Sequence, residues 1–168
     1  NDDLRSNGYL PTTSPYADAT TIVATVFNQG GTSGTGMPQD DIVDWVWIEI
    51  RQANDNTKIV RSQSALLQRD GDIVGLDGVS TIQLNAAPTN YYVVVKHRNH
   101  LGIMSANVIS LNNSMTSVDF TNPTTQTFGA NAQTVFGIPS GTMALWAGDV
   151  NNDAIVQYSG TTPDSPSI

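Results

Sequence analysis

The residues best suited to chemistry stand near the end of the chain, in Asp149-Val150-Asn151-Asn152-Asp153. The D-x-N-x-D spacing sets oxygen-bearing side chains at alternate positions, and alternation lets three of them converge on one hard cation, as at the start of an EF-hand calcium loop. Ile155, at the seventh position, would add its backbone carbonyl. Two positions depart from the pattern. Ala154 replaces the turn glycine, which costs about 1 kcal/mol or more if that residue is left-handed, and Gly160 stands where a bidentate acid would close the loop. Asp164 is the acid that could close it from farther along. The expectation is calcium held by Asp149, Asn151, Asp153, Ile155 and Asp164 in a stabilising role. The competing reading is an Asn/Asp-rich turn.

Three other groups compete for attention. Asp70, Asp72 and Asp77 form a second acidic loop, but Gly71, Gly75 and Gly78 make tight turns a sufficient explanation. His97 and His100 could bring two imidazoles to one point, as in a zinc set, yet no third ligand is evident, so a hydrogen-bonded loop anchor is expected. Trp45 and Trp47 share one face of a strand and could form a sugar-stacking platform, or be covered by the C-terminal connection or a neighbouring subunit. No G-x-S-x-G elbow, phosphate loop or acid–base carboxylate pair occurs. No catalytic residue is expected, and the chain is read as a non-enzyme.

The elements that must carry these residues follow from composition. Of the 15 acids only Glu49 is Glu, and Lys58 and Lys96 are the only lysines. Surface helices draw on Glu, Lys, Gln and Ala, whereas the Asn, Asp, Ser, Thr and Gly abundant here favour turns. Little helix is therefore expected. A net charge of −8 and a pI near 4.3 argue against nucleic acid and anionic membrane as partners, and suit divalent cations. No apolar run approaches the roughly 20 residues that span a bilayer. The chain has no cysteine, so disulfide, thiol and zinc-knuckle chemistry drop out.

Residues 168 in number suffice for one domain. The expected class is all-β, an immunoglobulin-like β-sandwich of about seven or eight strands with an extended N-terminal segment and a long irregular C-terminal region. Residues 1–20, with Pro11 and Pro15, form the extended arm; residues 21–120 form the sandwich; residues 121–168 form a surface-crossing connection with the candidate calcium loop. Thr21 to Phe27 reads as a strand ending in a glycine-rich loop at Gln29 to Gly36. Ile42 to Arg51 is the clearest strand, with Val46, Ile48 and Ile50 on the core face and Trp45, Trp47, Glu49 and Arg51 opposite. Across the turn Ala53 to Asn56, Thr57 to Gln68 returns with Ile59 and Leu67 toward the core. Further strands are expected at Val79 to Leu84 and Tyr91 to Arg98, and a hairpin of Ala106 to Leu111 with Met115 to Phe120. The arm, through Tyr9, Leu10 and Tyr16, is expected to pack on another copy of the domain.

In order, the segments LRSNGYLPTTSPY, DWVWIEIR, SALLQRDGDIVGLDGVS, NYYVVVKHRNHLGIMS and MALWAGDVNNDAIVQYSG resemble a module of large secreted or cell-surface proteins of Bacteroidetes-type bacteria. The likeness covers most of the chain, and its final segment is dockerin-like, with Ala154 in place of a glycine. The resemblance implies an extracellular or cell-surface location, no assigned activity, and a sorting tail in a longer precursor; if the protein is exported, Asn1 is expected to follow a processed leader. The function expected is a non-catalytic structural or adhesive module, a self-assembling surface filament subunit being one form of it, with copies of itself or other surface proteins as partners. The alternative is a carbohydrate-binding module that meets a glycan through Trp45 and Trp47.

Overall fold

The computed structural model describes residues 3–28, 36–137, 139–151, 153–157 and 159–164. The glycine-rich loop expected at Gln29 to Gly36 lies, apart from Gly36, outside the described residues, as do Asn1 and Asn152. The architecture is the all-β sandwich class, with eight strands in antiparallel sheets among the described residues. They are β1 (Ile42–Gln52), β2 (Asp55–Gln68), β3 (Ile73–Val74), β4 (Thr89–His97), β5 (His100–Met104), β6 (Ile109–Leu111), β7 (Thr134–Phe136) and β8 (Thr142–Ala144). One sheet runs β3-β2-β1-β4-β5 with β6 also paired to β4, and β7 pairs with β8 in a second. The one α-helix among the described residues is a single turn, Asp3–Ser6, as the poverty in helix formers predicts. No helix among them is long and apolar enough to cross a membrane.

The chain divides into two compact units, Asn1–Ile48 with Ser62–Asn85, and Glu49–Arg61 with Ala86–Ile168. The first is built around Trp45. Its buried cluster is Leu10, Val26, Phe27, Ile42, Trp45, Leu66 and Val74, with Tyr16, Ile22 and Leu76 packed against it. The arm is thus part of its own core: Leu10 is 6% exposed, whereas Tyr9 is 75% exposed. This corrects the expectation that Leu10 and Tyr16 reach a neighbouring copy. The arm is also held by polar contacts, because Ser14 Oγ lies 2.5 Å from Ser64 Oγ and Asp18 accepts from the Ser64 N–H and hydroxyl.

Thr21 to Phe27 is not a strand. Its β-branched run makes a single bridge, Thr13 to Thr21, then winds into a 3-10 turn at Ala24–Asn28 that buries Val26 and Phe27. Burial of the two side chains overrides propensity here. On β1, Val46, Ile48 and Ile50 are buried as expected, and Trp45 and Glu49 on the opposite face are buried too. On β2 the buried residues are Ser64, Ala65, Leu66 and Gln68. Ile59, expected in the core, is 51% exposed, because the outer half of this 14-residue strand is largely uncovered. β3 pairs Val74 with Leu66 and Ile73 with Leu67.

No strand forms at Val79 to Leu84. Asp77 Oδ1 takes the N–H groups of Val79 and Ser80 at 3.1 and 2.8 Å, so a side chain satisfies the donors that a ladder would have used.

In the second unit, β4 carries buried Tyr91, Val93, Val94 and Val95. β5 and β6 pair with successive stretches of β4. Ser105 lies between them, its N–H donating to Val93 O and its hydroxyl accepting from Val93 N–H. The hairpin expected at Met115 to Phe120 is absent: Ile109–Leu111 pairs with β4 instead, and the later segment has only Val118 and Phe120 half-buried. In the expected irregular stretch after Phe120, the short β7–β8 hairpin forms.

Glu49 is buried between cations. Lys96 Nζ reaches Oε1 at 2.7 Å, and Arg51 Nη2 and Nε reach Oε2 at 2.6 and 2.9 Å. Burial acts to raise the Glu49 pKa, but the hydrogen bonds and charges of Lys96 and Arg51 outweigh it and hold the carboxyl below its usual range.

Two outcomes follow. Leu10→Ala should cost about 2–4 kcal/mol in urea unfolding, and deletion of residues 1–20 should abolish the cooperative transition rather than leave a folded monomer. Glu49→Gln should cost about 2 kcal/mol at neutral pH, less than a fully buried pair because its partners are partly exposed. A lowered folded pKa contributes stability that is complete above about pH 4.3 and lost as pH falls through the folded value. The difference between wild type and Glu49→Gln, followed by urea melts, should therefore shrink below about pH 4.

Candidate functional site

The Asp149 loop is delivered by the start of β5. Leu101 N–H donates to Trp146 O at 2.8 Å, Gly148 N–H donates to Asn99 O at 2.9 Å, and His100 bridges Ala147. Gly148 then turns the chain at φ +117°, where an added Cβ would meet Val156 Cγ1 at 3.0 Å. Only glycine suits both the angle and the space.

Asp149 enters the loop 2% exposed. Its Oδ2 accepts the Ala154 N–H at 3.2 Å, while Oδ1 is buried and has no hydrogen-bond partner. Asn151 Oδ1 accepts the Asp153 N–H at 3.0 Å, and Asp153 Oδ1 accepts the Ile155 N–H at 2.9 Å. Ala154 has φ +66°: the sixth position is left-handed, as the calcium-loop pattern requires, but without its glycine. Asn151, Asp153, Ala154 and Ile155 are exposed.

Asp164 staples the loop. Its Oδ1 accepts Val150 N–H at 2.9 Å and its Oδ2 accepts Gln157 N–H at 2.7 Å, while its own N–H donates to Gln157 O at 2.9 Å. The Gln157 N–H does most to hold the carboxyl below its usual range; burial opposes this, and the Val150 and Asn151 N–H groups add to it. Thr162 completes the closure, its carbonyl accepting from Asn151 Nδ2 at 3.0 Å and from Gln157 Nε2 at 2.6 Å. The structure thus brings all five expected residues into one loop, with Asp164 bound to backbone on both oxygens. Among the described residues, no three His, Cys, Asp or Glu side chains form a group that could hold a metal ion.

No family model matches the sequence, and no curated protein or solved structure matches the chain.

The remaining candidates resolve differently. Trp45 is 0% exposed; its indole N–H donates to Pro11 O at 2.8 Å, and Tyr16 Oη donates to its carbonyl at 3.3 Å. Trp47 is half-buried, with the Tyr16 ring tilted at 34° to it and 5.6 Å between ring centres. The cover is the N-terminal segment, and these two indoles form no open platform. Asp70 and Asp77 hold backbone N–H groups of their own turns, which is the tight-turn reading. Sequence reasoning missed Asp41, buried at the head of β1, whose Oδ2 lies 3.0 Å from Arg5 and 3.5 Å from Arg69. Its partners lie 36 and 28 residues away, so no local spacing announces it.

Because the Asp164 pKa is depressed, its contribution is complete above the ordinary Asp value of about 3.9 and is lost as pH falls through the folded value. Amide exchange at Val150 and Gln157 should therefore lose protection below about pH 4, earlier than at Val94. Asp164→Ala should remove that protection at neutral pH while Val94 stays protected.

Proposed function

We propose that this protein is a non-catalytic structural or adhesive module of an extracellular surface, stabilised by calcium at the Asp149 loop. The observation that carries the reading is Asp149 Oδ1, a buried carboxylate oxygen with no partner at the position that opens the D-x-N-x-D run. An uncompensated buried acceptor costs several kcal/mol, and a cation would remove the penalty. Asn151 and Asp153 are exposed, so turning their oxygens inward disturbs no packed core, and the Ile155 carbonyl and Asp164 would complete an oxygen set. A net charge of −8 raises the local concentration of divalent cations.

Location follows from affinity. A loop without its bidentate twelfth-position acid suits the weak range of about 0.1–1 mM found in extracellular modules, which is filled only where calcium is abundant. The resemblance to Bacteroidetes-type surface modules agrees with this, and the partners on this reading are copies of the protein or other surface proteins. The non-catalytic role is supported by how the acids are used. Asp77 and Asp119 hold serine or threonine hydroxyls and backbone N–H groups of their own turns, bonds that lower their pKa values, the opposite of what a general acid needs.

With a dissociation constant near 0.1 mM, calcium at about 5 mM should stabilise the native state by about 2 kcal/mol, several degrees in Tm relative to chelator. Asp149→Asn should abolish that shift. Equal melting curves with calcium and with chelator, or an equal shift in Asp149→Asn, would reduce the loop to a turn.

A further inference from the structure

The β4–β5 turn carries two histidines that the calcium reading does not use. His97 ends β4, His100 opens β5, and they are cross-strand partners across Arg98-Asn99. A register shift between Val95 and His97 interrupts the ladder just before them, the kind of irregularity that re-aims a side chain. His97 is 8% exposed, and the backbone of His100 and Leu101 is tied to Ala147 and Trp146. Both rings therefore stand on fixed backbone.

The geometry of the pair is specific. The two Nδ1 atoms are 3.0 Å apart, and the ring centres are 4.7 Å apart at 86° between planes. A hydrogen bond running head-on along both ring directions would hold the centres about 5.3 Å apart. The rings are therefore not both aligned with the N···N line. Two imidazole nitrogens about 2.1 Å from one metal ion, at a right angle, would stand about 3.0 Å apart with ring centres about 4.6 Å apart. Both observed separations agree. Asn99 Oδ1 lies 2.7 Å from His100 Nδ1 and supplies a third donor.

A proton on His100 Nδ1 suits the contact to Asn99 Oδ1, an acceptor. When His100 carries its proton on Nε2 instead, its Nδ1 lone pair stands 3.0 Å from His97 Nδ1 and 2.7 Å from Asn99 Oδ1. We propose that His97 Nδ1, His100 Nδ1 and Asn99 Oδ1 form a binding site for a divalent transition-metal ion of tetragonal preference, copper(II) or nickel(II), with water in the remaining positions. The 3.0 Å between the nitrogens is shorter than the about 3.4 Å that a tetrahedral zinc ion would set, and mixed N and O donors are those that copper(II) and nickel(II) accept. Calcium, which takes oxygen ligands, is not the occupant, and the site stands independently of the Asp149 loop.

The test is calorimetric titration of the chelator-stripped full chain with nickel(II) in millimolar calcium, with copper(II) electron paramagnetic resonance on the same protein. One saturable equivalent is expected, with two coupled imidazole nitrogens in the copper spectrum. His100→Ala should weaken nickel binding at least about tenfold, Asn99→Ala should weaken it less, and Asp149→Asn should leave it unchanged. His100 is chosen because it is only half-buried; if His100→Ala fails to fold, the wild-type copper spectrum decides alone. Absence of saturable binding, a single coupled nitrogen, unchanged affinity in folded His100→Ala, or loss of binding in Asp149→Asn would each overturn the assignment.

Discussion

Burial of Trp45 is the constraint on which the first unit depends. An indole in mid-strand on the face away from Val46, Ile48 and Ile50 must be covered or it becomes a large exposed apolar patch. Its N–H must also meet an acceptor once water is gone. The N-terminal segment meets both needs, with Pro11 O on the indole, Leu10 in the same cluster and Tyr16 over Trp47. Once the segment is held there, Ser14 and Asp18 reach Ser64 on β2, and Val26 and Phe27 turn inward rather than extend. The loss of the expected first strand and the docking of the arm are two consequences of covering one side chain.

The acidic composition is used locally. Asp18, Asp55, Asp77, Asp119 and Asp164 each accept backbone N–H groups near a turn or loop closure. A carboxylate bound in this way replaces the ladder hydrogen bond that a longer strand would supply, which explains how an irregular chain keeps its backbone satisfied. Asp41 and Asp149 differ, each with one oxygen buried without such a donor, but Asp41 has Arg5 and Arg69 on its other oxygen and Asp149 has only the Ala154 N–H. That contrast, rather than the density of acids, singles out the Asp149 loop.

The histidine turn and the acidic loop are neighbours through backbone, since Asn99 O accepts from Gly148 N–H. Their chemistry is separate. One gathers nitrogen donors on a hairpin and the other oxygen donors on an irregular loop, so a soft-to-borderline ion and a hard one would each find a distinct place. Rigid β5 serves both, fixing His100 on its own strand and laying the Trp146 to Gly148 segment along its edge.

The sequence by itself determined the all-β class, since a surface vocabulary of Asn, Asp, Ser, Thr and Gly cannot sustain helices. It also located β1, β2 and β4 through β-branched runs, and placed Asp149, Asn151, Asp153, Ile155 and Asp164 in one loop through their spacing. Tertiary structure alone decided which faces are covered. Period-2 patterning distinguishes two faces of a strand but does not say that both are buried, so Glu49 and Val94 went inside unannounced, the cover over Trp45 came from the N-terminal segment, and Ile59 stayed out. It also decided that Val79 to Leu84 and Met115 to Phe120 are not strands, because a strand needs a partner edge and propensity cannot supply one. The edge-to-face contact of His97 and His100 was equally invisible in sequence: it stands beside a register irregularity in β4, and register is set by packing across the sheet.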